Sequence, residues 1–186
     1  MKNVEQPDYT VLSSKENIEI RSYPPIILAE TEIFGERKPA ITEGFKILAD
    51  YIFGNNSANR QMKMAAPVTG EISEKIAMTA PVMQEEHKDK WKIRFVMPKK
   101  YRFEELPTPN SRQVVLIQQP AKRFAVIQFS GLANDKNLKD HENKLKAYIL
   151  TEGLKPTGRI IFAFYNSPWT LPFLRRNEVL MEIGEN

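Results

Sequence analysis

The sequence has no cysteine in 186 residues. Disulfides, thiolate metal sites and cysteine nucleophiles are therefore excluded. Histidine is scarce: His87 and His141 are the only two. They form no His-x-x-x-His pair on a helix, so neither a structural nor a catalytic zinc site is expected. The eight glycines stand singly, so there is no glycine-rich phosphate loop. No serine sits in a Gly-x-Ser-x-Gly elbow. The acidic pairs Glu85-Glu86 and Glu104-Glu105 lie in segments read as solvated turns, a poor setting for catalytic carboxylates. The chain reads as non-enzymatic. No apolar run approaches the roughly 20 residues that span a bilayer. Residues 1–9 are polar and lack a secretory core, so the chain as given reads as cytoplasmic. The formal charge is only +4, with acids and bases interleaved. That is no nucleic-acid footprint, although it suits an anionic small molecule.

What the chain does have is an apolar share of 41% beside a charged share of 27%, enough for a packed interior under an ordinary soluble surface. Its length suits one domain, placed at 8–186. The stretch 62–83 organises it. Met62-Lys63-Met64-Ala65-Ala66-Pro67-Val68 is followed by Lys75-Ile76-Ala77-Met78-Thr79-Ala80-Pro81-Val82-Met83. Each copy ends in Ala-Pro-Val, and proline belongs at a strand end, an edge or a bulge. The expectation is two short broken strands around a turn at Gly70. Methionine suits adaptable apolar surfaces, so this is either a core hairpin or the wall of a site for a flat apolar ligand.

Alternation of apolar and polar residues predicts strands over 9–12, 18–23, 26–34 and 91–97. A helix is expected over 37–53, with Ile41, Phe45, Leu48, Tyr51 and Ile52 on one face and Gly54 past its end. The segment 98–112 reads as the join between halves at about 9–98 and 112–184. The second half repeats the first: strands over 114–118 and 122–130, a helix over 136–151 capped by Asn134 or Asp135, then strands over 159–165 and 179–183. Leu138, Glu142, Leu145, Tyr148 and Ile149 follow the five helix positions of the first half at a constant offset, and Glu142 against Phe45 is the poor match. The fold class predicted is α+β: a distorted antiparallel β-barrel of two pseudo-repeats flanked by two α-helices.

Three runs resemble the SOUL haem-binding proteins. They are Tyr51-Ile52-Phe53-Gly54, then Lys75-Ile76-Ala77-Met78-Thr79-Ala80-Pro81-Val82, then Pro168-Trp169-Thr170-Leu171-Pro172-Phe173-Leu174-Arg175-Arg176-Asn177-Glu178-Val179. Their order and spacing match the family over roughly 9–183. The resemblance implies a twisted barrel with two helices. It also implies non-covalent binding of haem, or another porphyrin, in a groove between the first helix and the loop at 168–174. Carried over, this marks Phe45, Ala49 and Phe53 on the helix and Trp169, Leu171 and Phe173 on the loop. Arg175 and Arg176 follow at once, and a guanidinium pair suits propionates.

His141 borders the apolar face of the second helix. It is either a weak axial-ligand candidate or a partly buried histidine bonded to a neighbour. Two other functions stay open. One is an effector-binding module for amphipathic small molecules, with Glu142 as its buried acid. The other is a protein-interaction domain using the loop at 169–174.

Overall fold

The computed structural model describes residues 4–58 and 73–185. The first Ala-Pro-Val copy and Gly70 lie outside the described residues. The elements run β1 (Thr10–Lys15), β2 (Ile18–Tyr23), β3 (Ile26–Phe34), α1 (Arg37–Ile52), β4 (Asn56–Ser57), β5 (Val82–His87) and β6 (Lys90–Val96). They continue β7 (Thr108–Pro109), β8 (Val115–Gln119), β9 (Lys122–Phe129), α2 (Asp135–Thr151), β10 (Pro156–Phe164) and β11 (Asn177–Ile183). Nine strands form one antiparallel sheet in the order β1-β2-β9-β11-β10-β5-β6-β3-β8, and β4 pairs with β7 apart from it.

The class is therefore α+β with two helices and a large antiparallel sheet, but the expected barrel needs correction. Among the described residues no ladder joins β8 to β1. What bends the sheet is a single ladder shared by its two flanks. In β2·β9 and again in β3·β8, the numbers of paired residues add to 145, from Ile18↔Ile127 to Tyr23↔Lys122 and on from Ile26↔Gln119 to Glu30↔Val115. Two long strands thus stay in register across one break. The break falls at Pro24-Pro25 on one strand and Pro120-Ala121 on the other, where proline cannot donate to a ladder.

The second Ala-Pro-Val copy is also not a strand. Residues 75–78 are irregular, Thr79 makes an isolated bridge to Glu5, and the strand begins at Val82. It then runs through Gln84, Glu85, Glu86 and His87, a segment whose charge predicts a turn. Alternation hides this strand because Glu85 pairs with Arg94 at 2.7 Å, which lets a charge lie on the sheet.

Both helices pack on one face of the sheet, α1 over β3 and β6, α2 over β9, β11 and β10. Asn134 caps α2, its side chain accepting from the Asn137 N–H at 2.8 Å. The buried stripe of α1 is Ala40, Gly44, Leu48, Tyr51 and Ile52, with Ala49 beside it. It is turned from the expected face: small residues sit centrally, and Phe45 stands at the edge.

Gly44 explains the turn. A Cβ there would lie 2.6 Å from Ile93 Cδ1, 2.9 Å from Cγ1 and 3.2 Å from Cβ. Ile93 is fully buried, so it cannot swing away. Gly44→Ala is expected to destabilise the protein by about 1–3 kcal/mol, despite alanine's better helix propensity. A denaturant midpoint that rises instead would show that helix and sheet can separate cheaply.

Candidate ligand-binding site

The helix-bearing face carries a row of paired residues crossing the sheet. Phe95 on β6 pairs with Val82 on β5, Val82 with Phe164 on β10, Phe164 with Asn177 on β11, and Asn177 with Phe129 on β9. Directly paired residues share a face. Phe45 of α1 closes one end of the row, edge-to-face on Phe95 with centroids 5.3 Å apart. His141 of α2 closes the other, stacked on Phe129 at 3.8 Å.

The loop 165–176 springs from the middle of this row, because Phe164 and Asn177 are its two stems. Its apolar side chains point away from the core. Trp169 is 89% exposed and Phe173 69%, with Leu171 and Leu174 also exposed. Their backbone is nonetheless fixed. Arg175 Nε donates to the Thr170 carbonyl and Nη2 to the Pro168 carbonyl, each at 2.7 Å. Gly131 N–H donates to the Pro172 carbonyl at 2.9 Å, which ties the loop to the turn before α2.

The expected residues fall into three groups. Phe45 and Phe53 of the α1 side are exposed, 40% and 63%, while Ala49 between them is buried. Trp169, Leu171 and Phe173 are exposed on the tethered loop. The two arginines part company. Extended backbone sends successive side chains to opposite faces, and Arg176 goes to the far side of the sheet. There Nε and Nη2 bind Glu178 Oε1 at 2.9 and 2.8 Å, and Nη1 and Nη2 reach Gln6 and the Tyr9 hydroxyl at 3.2 Å. Its guanidinium also lies 4.0 Å from the Tyr165 ring centroid. The expected pair of guanidiniums at one ligand is corrected accordingly: only Arg175 turns back onto the loop.

His141 donates from Nδ1 to the Asn137 carbonyl at 2.7 Å, since that oxygen can only accept. Only its Nε2 lone pair remains. Glu142 lines a shallow pocket with Trp91, Leu138 and Phe162, but its charge is already met: it accepts from Lys146 at 2.6 Å and Lys139 at 3.2 Å along its own helix. Burial would raise its carboxyl, but the two lysines hold it below the usual carboxylate range.

The most deeply buried acid among the described residues is Glu178, with no exposed surface. Besides Arg176 it accepts from Arg21 Nη1 at 3.0 Å and the Tyr165 hydroxyl at 2.9 Å. Arg21 is itself 1% exposed and also binds Glu19 and Tyr23. Nothing in the sequence pattern signals this network, because Arg21 and Glu178 are 157 residues apart. Arg21 alternates with Ile18 and Ile20, which reads as a solvated strand position. The N-terminal segment conceals it: Tyr9 packs on Tyr23 at 5.2 Å, and the Arg21 guanidinium lies 4.2 Å from the Tyr9 ring.

Burial pushes the Tyr23 phenol up from 10 to about 12, against the opposing pull of Arg21. Burial raises Tyr165 further, helped by Glu178. Burial likewise raises Tyr51, and Tyr101, which donates to Glu74 at 2.7 Å. Folded phenols thus keep protons that unfolded ones release. Stability is whole below about pH 10 and falls as pH climbs towards the folded value of Tyr23 near 12. In an alkaline titration, these four of the six tyrosines are expected to ionise only with unfolding. Six phenols titrating together near pH 10, with circular dichroism unchanged, would contradict this burial.

Among the described residues no group of acidic or histidine side chains could hold a metal ion. No helix among them is long and apolar enough to cross a membrane.

Among curated proteins none matches the chain. Solved structures share its fold at low identity. A hydrolase from Listeria innocua is 13% identical, with 93% of this chain and 94% of that one covered and a TM-score of 0.58. The C-terminal domain of EcmrR is 10% identical, with 96% and 99% covered and a TM-score of 0.58. The sequence model described as SOUL heme-binding protein matches residues 4–182. The match spans nearly the whole sequence, and by it the chain belongs to the SOUL haem-binding protein family.

Proposed function

We propose that the protein binds haem or a related tetrapyrrole without transforming it, on the helix-bearing face, between Phe45 and the loop 165–176. The observation that carries this reading is a loop whose apolar side chains are exposed while its backbone is locked by Arg175 and Gly131. Exposed apolar groups on a fixed backbone are pre-organised for a flat apolar partner, which lowers the ordering cost of binding. The loop leaves the sheet two strands from Phe95, the ring on which Phe45 rests. A macrocycle lying there would meet Trp169, Leu171 and Phe173 on one side and Phe45 on the other, with Phe53 further along α1. Arg175 already uses two guanidinium nitrogens on the loop, and its remaining N–H groups serve a propionate at the rim.

The residues fit the macrocycle better than its iron. His141 keeps one free ring nitrogen, but it lies at the α2 end of the row, on Phe129. Affinity in this reading comes from apolar contact. A few hundred square ångströms buried at about 25 cal/mol per Å² reaches micromolar binding, about 8 kcal/mol. Haemin and iron-free protoporphyrin are expected to bind within about tenfold of each other, and His141→Ala is expected to change either affinity by less than about tenfold, or 1.4 kcal/mol. Titration followed by the Soret band and by porphyrin fluorescence measures both. No saturable change at micromolar protein would end the proposal. A low-spin spectrum lost in His141→Ala would replace apolar binding with iron ligation.

A further inference from the structure

Past the ends of β3 and β6, a cavity of about 600 Å³ lies at the bend of the shared ladder. Cavities of this size take drug-sized ligands. Its walls include five prolines: Pro24 and Pro25 on one bent strand, Pro120 on the other, Pro98 after β6, and Pro7 on the N-terminal segment. Val96 and Met97, both buried, form the floor.

The N-terminal segment closes one side and is pinned at several points. Ala80 N–H donates to the Glu5 carbonyl at 2.9 Å, and Lys99 N–H to Glu5 Oε1 at 2.7 Å. Lys99 Nζ pairs with Asp8 at 2.7 Å. Lys99 and Asp8 thus neutralise one another, and the Glu5 carboxylate is held by a backbone N–H. Gln118 and Gln119 differ: both residues line the cavity, and the side chain of neither bonds to another described residue. As neighbours on β8 they point to opposite faces, and Gln119, half-buried, is the one that also lines the apolar pocket under Ile26 and Val96.

We propose that this cavity is a second binding site, separate from the loop 165–176, for an uncharged aromatic molecule carrying a hydrogen-bonding group. Each part of that class follows from the lining. Proline rings are rigid, flat and apolar, and proline-rich segments bind by laying them against aromatic rings; here the protein supplies the prolines and the ligand the rings. Gln119 offers unused donors and acceptors to a hydroxyl, amine or carbonyl on the ligand. A charged ligand is disfavoured. An anion would face Glu5 and Asp8 with Lys99 already paired, so a dianionic tetrapyrrole belongs at the loop and not here.

Two probes with one skeleton test this. N-phenyl-1-naphthylamine is neutral and has one N–H; 1-anilinonaphthalene-8-sulfonate adds a sulfonate. Both brighten in apolar surroundings. The neutral probe is expected to bind at micromolar concentration, at least tenfold more tightly than the sulfonate. Amide shifts in NMR spectra are expected at Ile26, Val96, Met97 and Gln119 and not at 168–174. Ile26→Trp places a large ring in the cavity and is expected to weaken the neutral probe at least tenfold while haemin titration is unchanged. Equal or tighter binding of the sulfonate would overturn the proposal. So would shifts confined to 168–174. If Ile26→Trp does not fold, the map on the unaltered chain decides alone.

Discussion

Glu178→Ala is expected to cost about 3–5 kcal/mol, more than Gly44→Ala, although no ligand is proposed to touch Glu178. The carboxylate is fully buried and accepts from Arg21, Arg176 and Tyr165. Its removal leaves Arg21, 1% exposed, with Glu19 as its only carboxylate partner among the described residues. A buried ion pair contributes little net stability when whole, because desolvation offsets its attraction. Breaking it strands a charge in a medium that solvates it poorly. For a chain of this length, about 3–5 kcal/mol lowers Tm by roughly 6–20 °C. The double variant Arg21→Met/Glu178→Leu is expected to recover part of the loss, since the two fully buried charges then go together and only Arg176, which reaches solvent, loses its partner. A single variant losing less than about 1 kcal/mol would mean that water reaches Arg21, and that the N-terminal segment does not seal this face.

The opposite result is expected on the loop. Trp169→Ser, Leu171→Ser and Phe173→Ser combined should leave stability within about 1 kcal/mol, because substitutions at exposed side chains away from special features cost little. The same variant should lose at least about thirtyfold in porphyrin affinity, or roughly 2 kcal/mol. Each side chain would bury over roughly 100 Å² against a macrocycle, at about 25 cal/mol per Å². Chemical denaturation and porphyrin titration on one preparation separate the two effects. Unchanged affinity would remove the loop from the site and return it to a protein-interaction surface. Lost stability would mean the loop packs on the body.

Much of the architecture is legible in the sequence because period and punctuation carry it. Both helices and the strands before them are readable from apolar spacing, from Asn134 as cap and from glycines ending each element. The barrel is not, because alternation shows which face a strand buries, not which strand lies beside it. Strand β5 escapes the pattern because Glu85 and Glu86 read as solvent-facing, yet Arg94 neutralises Glu85 on the sheet. On the site, the sequence marks the residues of the loop but not their division of labour. Arg175 and Arg176 are neighbours in the chain and look like one binding pair. Backbone direction sends one to lock the loop and the other through to Glu178. The same blindness hides the proline-walled cavity, whose five prolines lie between residues 7 and 120 and meet only in the fold.

The shared ladder also sets the order in which the chain can fold. Every rung from Ile18↔Ile127 to Glu30↔Val115 joins residues 85 to 109 positions apart. Such contacts form late and slowly, since a long loop must close before they gain anything. During synthesis, β2 and β3 leave the ribosome long before β9 and β8 exist. They must wait with open edges, which is the hazard that charges on an edge strand reduce. Glu19 and Arg21 on β2, with Glu30 and Glu32 on β3, supply those charges. Each half also lends its partner an outer strand, so severing the connection at 98–112 should yield two pieces that fold only when mixed.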